Sequence, residues 1–380
     1  MRSKPKSILF LSSWYPSKNH TTLGNFIQFH AEAVATHNKV YTLYLSSSDN
    51  DHDLLIDNKV INQVDTTIVY FKKTKWKKHL DRLKAFKKGI YYLIQEKKIK
   101  FDCVHMNIIH PSGWQALYLN KKYNIPYIIS ENWHGFQDLS KYKIGFYRKR
   151  LIKNVIENAS FVCPVSNQLK NAIQSNNYKA NYEIVPNVVD VERFKPAERK
   201  QHSFTFLHVS TLTDEIKNIS GILYSYAQLE HKNILLKIIG DGETDWIKEK
   251  AKSLNIPDNA ILIETEKTHN EIAIAMQQAD CFVLFSNIEN LPLVIIESMA
   301  CGLPIITTDV GGISEHMDES KGKMIAARDT DSLTKNMNFM ILNSAKYNSE
   351  AIRNYAIENF GNESISRQFN DLYNRAIDNL

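Results

Sequence analysis

The sequence predicts an α/β protein made of two doubly wound, Rossmann-like domains, and three observations carry that expectation. Short β-branched and aromatic runs alternate with longer amphipathic ones, the pattern of βαβ units around parallel sheets. At 380 residues the chain exceeds one comfortable core, and its 43% hydrophobic content is enough for two. A polar break at 195–203 (KPAERKQHS) divides the strand-like runs into two sets, each sufficient for its own sheet.

In chain order, the first set has strands near 7–11, 39–45, 101–105, 126–130, 161–165 and 183–185. The second has strands near 204–209, 234–239, 261–263, 281–285 and 304–307. The expected domains are therefore 1–196 and 197–362, with a last helix over about 363–380 expected to cross back onto the first. Ligands of doubly wound sheets bind beyond the carboxyl ends of the strands. With two such sheets, the expected site is the cleft between them.

Charge divides along the same line. Residues 1–196 hold 30 Lys+Arg against 15 Asp+Glu, whereas the remainder holds 17 against 26, so a basic half is expected to meet something anionic. The basic residues concentrate in two stretches that also carry aromatic and aliphatic side chains. One spans 72–100, with Trp76, Leu80, Leu83, Phe86, Ile90, Tyr91 and Ile94; the other spans 141–153, with Tyr142, Phe146 and Tyr147. Basic amphipathic helices of this kind suit an anionic membrane surface, and a core-facing helix with a solvated lysine face is the alternative. No nucleic-acid-binding motif accompanies the charge, so nucleic acid is not expected as a partner. Cys103, Cys163, Cys281 and Cys301 sit in separate apolar runs and read as buried thiols in a reducing compartment. No stretch approaches a membrane-spanning length, so the expected location is cytoplasmic, with any membrane contact peripheral.

The chemistry concentrates between Phe285 and Gly312. After a strand end comes a polar loop with Glu289, then Pro292 at the first turn of a helix containing Glu297, then Gly302 and Pro304 as a stop. The helix start offers unpaired N–H groups and a positive dipole end, sufficient for a diphosphate without a metal. Glu289 lies beside that start, and Glu297 lies about one turn in, where a carboxylate could accept from sugar hydroxyls. No Asp-x-Asp arrangement of the kind that holds a metal–diphosphate in other glycosyltransferases is evident, so no metal and no cofactor are expected.

Glu289 and Glu297, seven residues apart in between, followed by Ser-Met-Ala-Cys-Gly-Leu-Pro and then Gly311, Gly312 and Glu315, resemble the acidic-pair region of retaining glycosyltransferases of the GT-B fold, family GT4. Further segments resemble the same family in the same order. They are Gly24-Asn25-Phe26 in the first βα loop, Ser166 after a strand, Pro186-Asn187-Val188-Val189-Asp190 with Phe194, and Gly240-Asp241-Gly242. The resemblance implies a GT-B architecture and transfer of a sugar from a nucleotide-sugar, with a UDP-sugar favoured, to a glycan or lipid-linked acceptor. Cell-surface polysaccharide or lipopolysaccharide biosynthesis is the implied setting. It assigns donor binding to Gly24, Thr211, Lys217, Gly240, Gly242, Glu289, Asn290, Leu291, Leu293, Val294 and Glu297. Glu289, His134 and Lys217 are the implied catalytic set, with Asn132, His134 and His110 on the acceptor side.

Two departures qualify the pattern. Thr211 stands where the family places an Arg that clamps the diphosphate with Lys217. After the strand near 126–130, Asn132 falls where a histidine is usual, and His134 follows two residues later. A sugar-nucleotide epimerase of the same fold, a phosphorylase, or a non-catalytic nucleotide-sugar-binding relative stays open. An oxidoreductase is disfavoured because the first strand runs into Ser-Ser-Trp-Tyr-Pro, without a Gly-x-Gly-x-x-Gly turn.

Overall fold

A computed structural model describes residues 4–48, 54–74, 77–137, 139, 144–198, 203–231 and 233–378. The chain forms two compact units. One comprises Met1–Val188 with Asn362–Leu380, and the other Val189–Gly361. Trp76, Lys141 and Tyr142 of the basic stretches, and 199–202 of the polar break, lie outside the described residues.

The first unit holds a seven-stranded sheet of β1 (Ser7–Ser12), β2 (Lys39–Ser48), β3 (Leu55–Ile61), β4 (Val64–Lys72), β5 (Cys103–Asn107), β6 (Tyr127–Glu131) and β7 (Phe161–Pro164). Their order is β3-β4-β2-β1-β5-β6-β7, and every pairing is parallel except β3 with β4. The central strand β1 is apolar without alternation because helices cover both its faces; Ile8, Leu9, Phe10 and Leu11 are all buried. The β3–β4 hairpin is an addition to the predicted set. It turns on Asn62 and Gln63, both at positive φ (46° and 68°), the signature of a type I′ turn. Edge strand β3 has a polar centre, Asp57-Asn58-Lys59, and an exposed Val60, so it lacks the hydrophobic run that marks the inner strands.

The strand expected at 183–185 does not form. That segment runs beside β7 with amides of Glu183 and Val185 bonded to Val162 and Pro164 carbonyls, but only an isolated bridge at Tyr182 results. Pro164 and Pro186 remove the donors that a continued ladder would need. The helix Asn362–Asp378 belongs to this unit and lies along the helix Asn25–Ala35. It buries Phe369 and Tyr373, whose hydroxyl shares a 2.6 Å hydrogen bond with His105 Nδ1 of β5.

The second unit holds a six-stranded parallel sheet of β8 (Phe204–Thr211), β9 (Ile234–Asp241), β10 (Ile261–Glu264), β11 (Cys281–Leu284), β12 (Ile305–Thr308) and β13 (Gly322–Ile325). The order β10-β9-β8-β11-β12-β13 counts as 3-2-1-4-5-6 from the unit's own first strand. Phe206, Ile222, Leu236, Ile238, Val283, Phe285, Ile306 and Met337 fill one side of the sheet. Strand β13 was not expected, since its four residues are half polar and too few to show a period. All four cysteines are buried, without a disulfide between them. Among the described residues, no helix is long and apolar enough to cross a membrane.

Candidate active site

In a 3-2-1-4-5-6 sheet the chain direction of winding reverses between the first and fourth strands, leaving a crevice at their carboxyl ends. Here those strands are β8 and β11, and the predicted donor residues of this unit lie at or beyond the ends of these strands and of β9. Beyond β8 the chain makes the short helical turn Asp214–Lys217, then passes through Asn218 at φ 50° into the helix Ile219–Ala227. Two side chains fix that corner. Asp214 accepts from the Ser220 amide and hydroxyl at 2.7 Å each, and the Asn218 side chain accepts from the Gly221 amide.

The loop after β11 is fastened to that corner. The Asn287 amide donates to the Ile216 carbonyl at 2.7 Å, and Asn287 Nδ2 donates to the Glu215 carbonyl at 2.9 Å. These bonds bring Lys217 Nζ to 2.5 Å from Glu289 Oε1, which also accepts from Ser286 Oγ at 2.8 Å. The side chains of Lys217 and Glu289 are 14% and 9% exposed, so this is an ion pair largely removed from water.

Gly311 and Gly312 act from below. Gly311 has φ 67°, and a Cβ there would stand 2.4 Å from the Glu289 carbonyl oxygen and 2.5 Å from that of Asn290. The Gly312 amide donates to the Asn290 carbonyl at 2.7 Å. The glycine pair is thus a floor under the Glu289–Asn290 backbone and does not itself present a functional group. Pro292 is the N-cap of the helix Leu293–Ala300, at φ −71° and ψ 137°, and no side chain caps the helix start. Leu291 is buried beneath it.

Glu297 is on that helix and is 3% exposed. Burial pushes its carboxyl up to about 8, and the nearby Arg193 guanidinium pulls it partly back. Arg193 was not singled out from the sequence. It lies inside the Asp190…Phe194 segment, where Asp190 accepts from the Glu192 and Arg193 amides. Arg353 fastens this segment to the helix, donating to the carbonyls of Val191, Phe194 and Ala300 at 2.7–2.9 Å.

On the other side of β8, Thr211 pairs with Asp241, and Ser210 pairs with Gly240. A Cβ on Gly240 would fall 2.0 Å from the Ser210 carbonyl oxygen, so only glycine lets the two strand ends lie this close. Gly242 has φ 122°. Thr211 is exposed and supplies a hydroxyl where a guanidinium was the pattern.

The remaining predicted residues belong to the first unit. Gly24, at φ 78°, closes the loop after β1 against the helix Asn25–Ala35, and a Cβ would meet the Trp14 carbonyl carbon at 2.7 Å. Asn132 Nδ2 donates to Asn187 Oδ1 at 2.6 Å, His134 opens the short turn His134–Gln137 and is exposed, and His110 is half-buried with its ring stacked on Trp133. These loops share an organiser that sequence reading passed over, Glu131 at the end of β6. It is fully buried, and its carboxylate accepts the amides of Ile109, Asn132 and Trp133 at 2.8–3.0 Å. Burial still raises it to about 7. The available signal was an acid following Ser130 at the end of the apolar run Tyr127-Ile128-Ile129.

Two sequence models tile most of the chain: Glycosyltransferase Family 4 over residues 34–193, and Glycosyl transferases group 1 over residues 190–359. The chain belongs to this glycosyltransferase family. Among curated relatives it is 26% identical to Protein CapJ of Staphylococcus aureus, over 88% of this chain and 89% of that one. It is 24% identical to the alpha-monoglucosyldiacylglycerol synthase of Streptococcus pneumoniae over 55% and 52%. Several other relatives are likewise matched over only 58–62% of their own length. Among solved structures, Anabaena HepE in complex with UDP-glucose superposes with a TM-score of 0.71 at 17% identity, covering 96% of this chain and 98% of that one. The fold is therefore that of the GT-B glycosyltransferases, an α/β class with two Rossmann-like sheets.

Proposed function

We propose that this glycosyltransferase moves a sugar from a UDP-sugar to a hydroxyl of a glycan or lipid-linked acceptor, with retention of anomeric configuration and without a metal. The observation that carries the reading is the Lys217–Glu289 pair at the reversal point of the second sheet. In this scheme the donor's diphosphate lies over the amides at the start of the helix Leu293–Ala300 and takes Lys217 as its counter-charge. Glu289, released from that lysine, accepts from hydroxyls of the transferred sugar. Glu297 accepts from the ribose. Thr211, Gly240 and Gly242 leave room at the neighbouring strand ends.

Among the described residues of the second unit no further carboxylate is identified as a covalent nucleophile, so front-face displacement is the assigned route. The acceptor hydroxyl attacks on the side from which the diphosphate departs, and the leaving phosphate takes its proton. The carboxyl edge of the first unit, with His134, Asn132 and His110, is assigned the acceptor. UDP as the donor nucleotide is supported by HepE, a protein of this fold solved with UDP-glucose. A lipid-linked acceptor is supported by the relative named for synthesis of a glucosyldiacylglycerol. It also fits the surface of the first unit, where Phe146 and Tyr147 are 73% and 86% exposed next to Arg148, Lys149 and Arg150. Aromatic side chains flanked by cations suit an anionic membrane face.

The test is a panel of UDP-, GDP- and ADP-sugars with and without EDTA, scored for nucleotide release and for the product's anomeric configuration. Turnover with a UDP-sugar, unaffected by EDTA and lost in Glu289→Gln, is the expected result. UDP binding with no turnover on any acceptor preparation would favour a non-catalytic binder, the reading that Thr211 in place of an arginine supports. Inversion of configuration would overturn the front-face assignment.

A further inference from the structure

The loop after β5 forms one wall of a cavity of about 190 Å³ in the first unit. Its polar lining is His79, Arg82, His110 and Arg148, and Ile109, Trp114, Leu151, Ile152 and Val155 supply an apolar remainder. Arg82 comes from the helix Lys78–Tyr91, and Arg148 from the first turn of the helix Phe146–Glu157. The two basic stretches of the sequence therefore meet here, each contributing one guanidinium.

Arg82 is held in place and left with spare donors. Its Nη2 donates to Ser112 Oγ at 2.6 Å. Ser112 is itself fixed, its amide donating to Ser13 Oγ at 3.1 Å while Ser13 Oγ donates to the Ile108 carbonyl at 2.7 Å. The Arg82 Nε is buried and meets no acceptor among the described residues. Neither guanidinium meets a carboxylate among those residues. Both sit close enough to His110 to add to the downward push that burial gives its pKa. Arg82, partly withdrawn from water, and the exposed Arg148 present two cations to one cavity with no counter-ion among the described residues, and an anion there relieves their repulsion.

We propose that this cavity binds a phosphate group carried by the acceptor on an otherwise apolar body. Guanidinium forks arriving from two helices, with His110 between them, can engage three oxygens, which a tetrahedral phosphate offers and a carboxylate does not. The apolar wall then receives the adjoining part of the same molecule. That the bound molecule is the acceptor rests on the transferase reading above; the binding itself does not.

The phosphate can belong to a soluble phosphorylated compound or to a lipid, so the experiment has two arms. The full chain, kept saturated with UDP to occupy the donor side, is titrated with glycerol 3-phosphate by calorimetry. In parallel it is sedimented with phosphatidylcholine vesicles containing phosphatidic acid, whose headgroup, like glycerol 3-phosphate, is a phosphate monoester. Arg148→Gln is compared with Lys149→Gln, which removes the same charge one residue on from a side chain that does not line the cavity. Arg148→Gln is expected to weaken binding about tenfold more than Lys149→Gln, the value of one lost charge-assisted contact. A difference confined to the titration assigns a soluble phosphate, and one confined to the vesicles assigns a lipid headgroup. Equal losses in both variants in both arms, or no binding of either probe by the wild type, overturn the proposal. Arg82→Lys, which keeps the charge and loses the fork, is expected to weaken the probe that Arg148→Gln weakens, and no effect would also count against the site. Failure of the transferase reading would show separately, as absent UDP-sugar binding or turnover by the wild type without either probe.

Discussion

Removing one member of the Lys217–Glu289 pair, and then both, separates its structural part from its chemical one. At 2.5 Å and with side chains 14% and 9% exposed, the pair is close to the buried limit. Lys217→Met leaves the Glu289 carboxylate with the Ser286 hydroxyl, at 2.8 Å, as its remaining hydrogen-bond partner among the described residues. Orphaning a buried charge in this way costs about 3 kcal/mol. Glu289→Gln orphans the ammonium and costs a similar amount, about 2–3 kcal/mol. In the double variant Lys217→Met/Glu289→Gln no charge is stranded, so stability is expected to recover, with a coupling of about 2 kcal/mol in the double-mutant cycle. Activity follows a different course. In the proposed scheme Lys217 is the counter-charge to the leaving diphosphate, and Lys217→Met is expected to slow turnover about a hundredfold or more. The double variant should be no faster. Urea denaturation of all four proteins gives the cycle, and UDP release from the donor that turns over gives the rates. Strictly additive stabilities would show that the pair is not coupled. A double variant that transfers sugar at the wild-type rate would refute the catalytic assignment.

Glu297→Gln should remove a pH dependence of stability. The folded-state value of about 8 lies above the ordinary 4.5, so the native protein holds a proton that the unfolded chain gives up between those limits. Wild-type stability therefore falls as pH rises from 4.5 to about 8, by up to about 1.4 kcal/mol per unit. Denaturation midpoints at both ends of that window should diverge between wild type and variant, and parallel profiles would contradict the buried-acid reading. Gly311→Ala places a Cβ 2.4 Å from the Glu289 carbonyl oxygen at a positive φ. It should destabilise by about 1–3 kcal/mol and reduce donor turnover more than a remote substitution of equal cost. Glu131→Gln offers an N–H donor to one of the three amides that now share its two oxygens, and thermal melting should show a loss of about 1–3 kcal/mol.

Legibility from sequence followed local chemistry. The inner strands were readable because strands covered on both faces must be continuously apolar, as in β1 and β11. The type I′ hairpin at Asn62-Gln63 was not, since its turn lacks the usual Asn-Gly and its edge strand is half polar. Within the site, the acidic pair, Pro292 and the glycines stood out because each has a positional reason visible at short range. What the sequence could not reveal was which partner each acid would meet. Glu289 faces Lys217, 72 positions earlier, and Glu297 feels Arg193 across more than a hundred residues. Glu131 escaped notice for the same reason, since two of its three amide donors are adjacent but the third, Ile109, comes from the neighbouring strand's loop.

The return of the helix Asn362–Asp378 to the first unit makes the second unit an insertion within the first, and this orders events during synthesis. The insertion is closed at its base, with the Val189 amide bonded to the Phe360 carbonyl at 2.9 Å, so all its strands and both its ends leave the ribosome before the helix does. The first unit, although translated first, must wait. Until that helix arrives, His105 lacks the Tyr373 hydroxyl, and the ground that Phe369 covers beside His30 and His105 stays open to water. The earlier-made half of the protein is thus the later to finish folding, and its sheet is the surface that a nascent chain must shield.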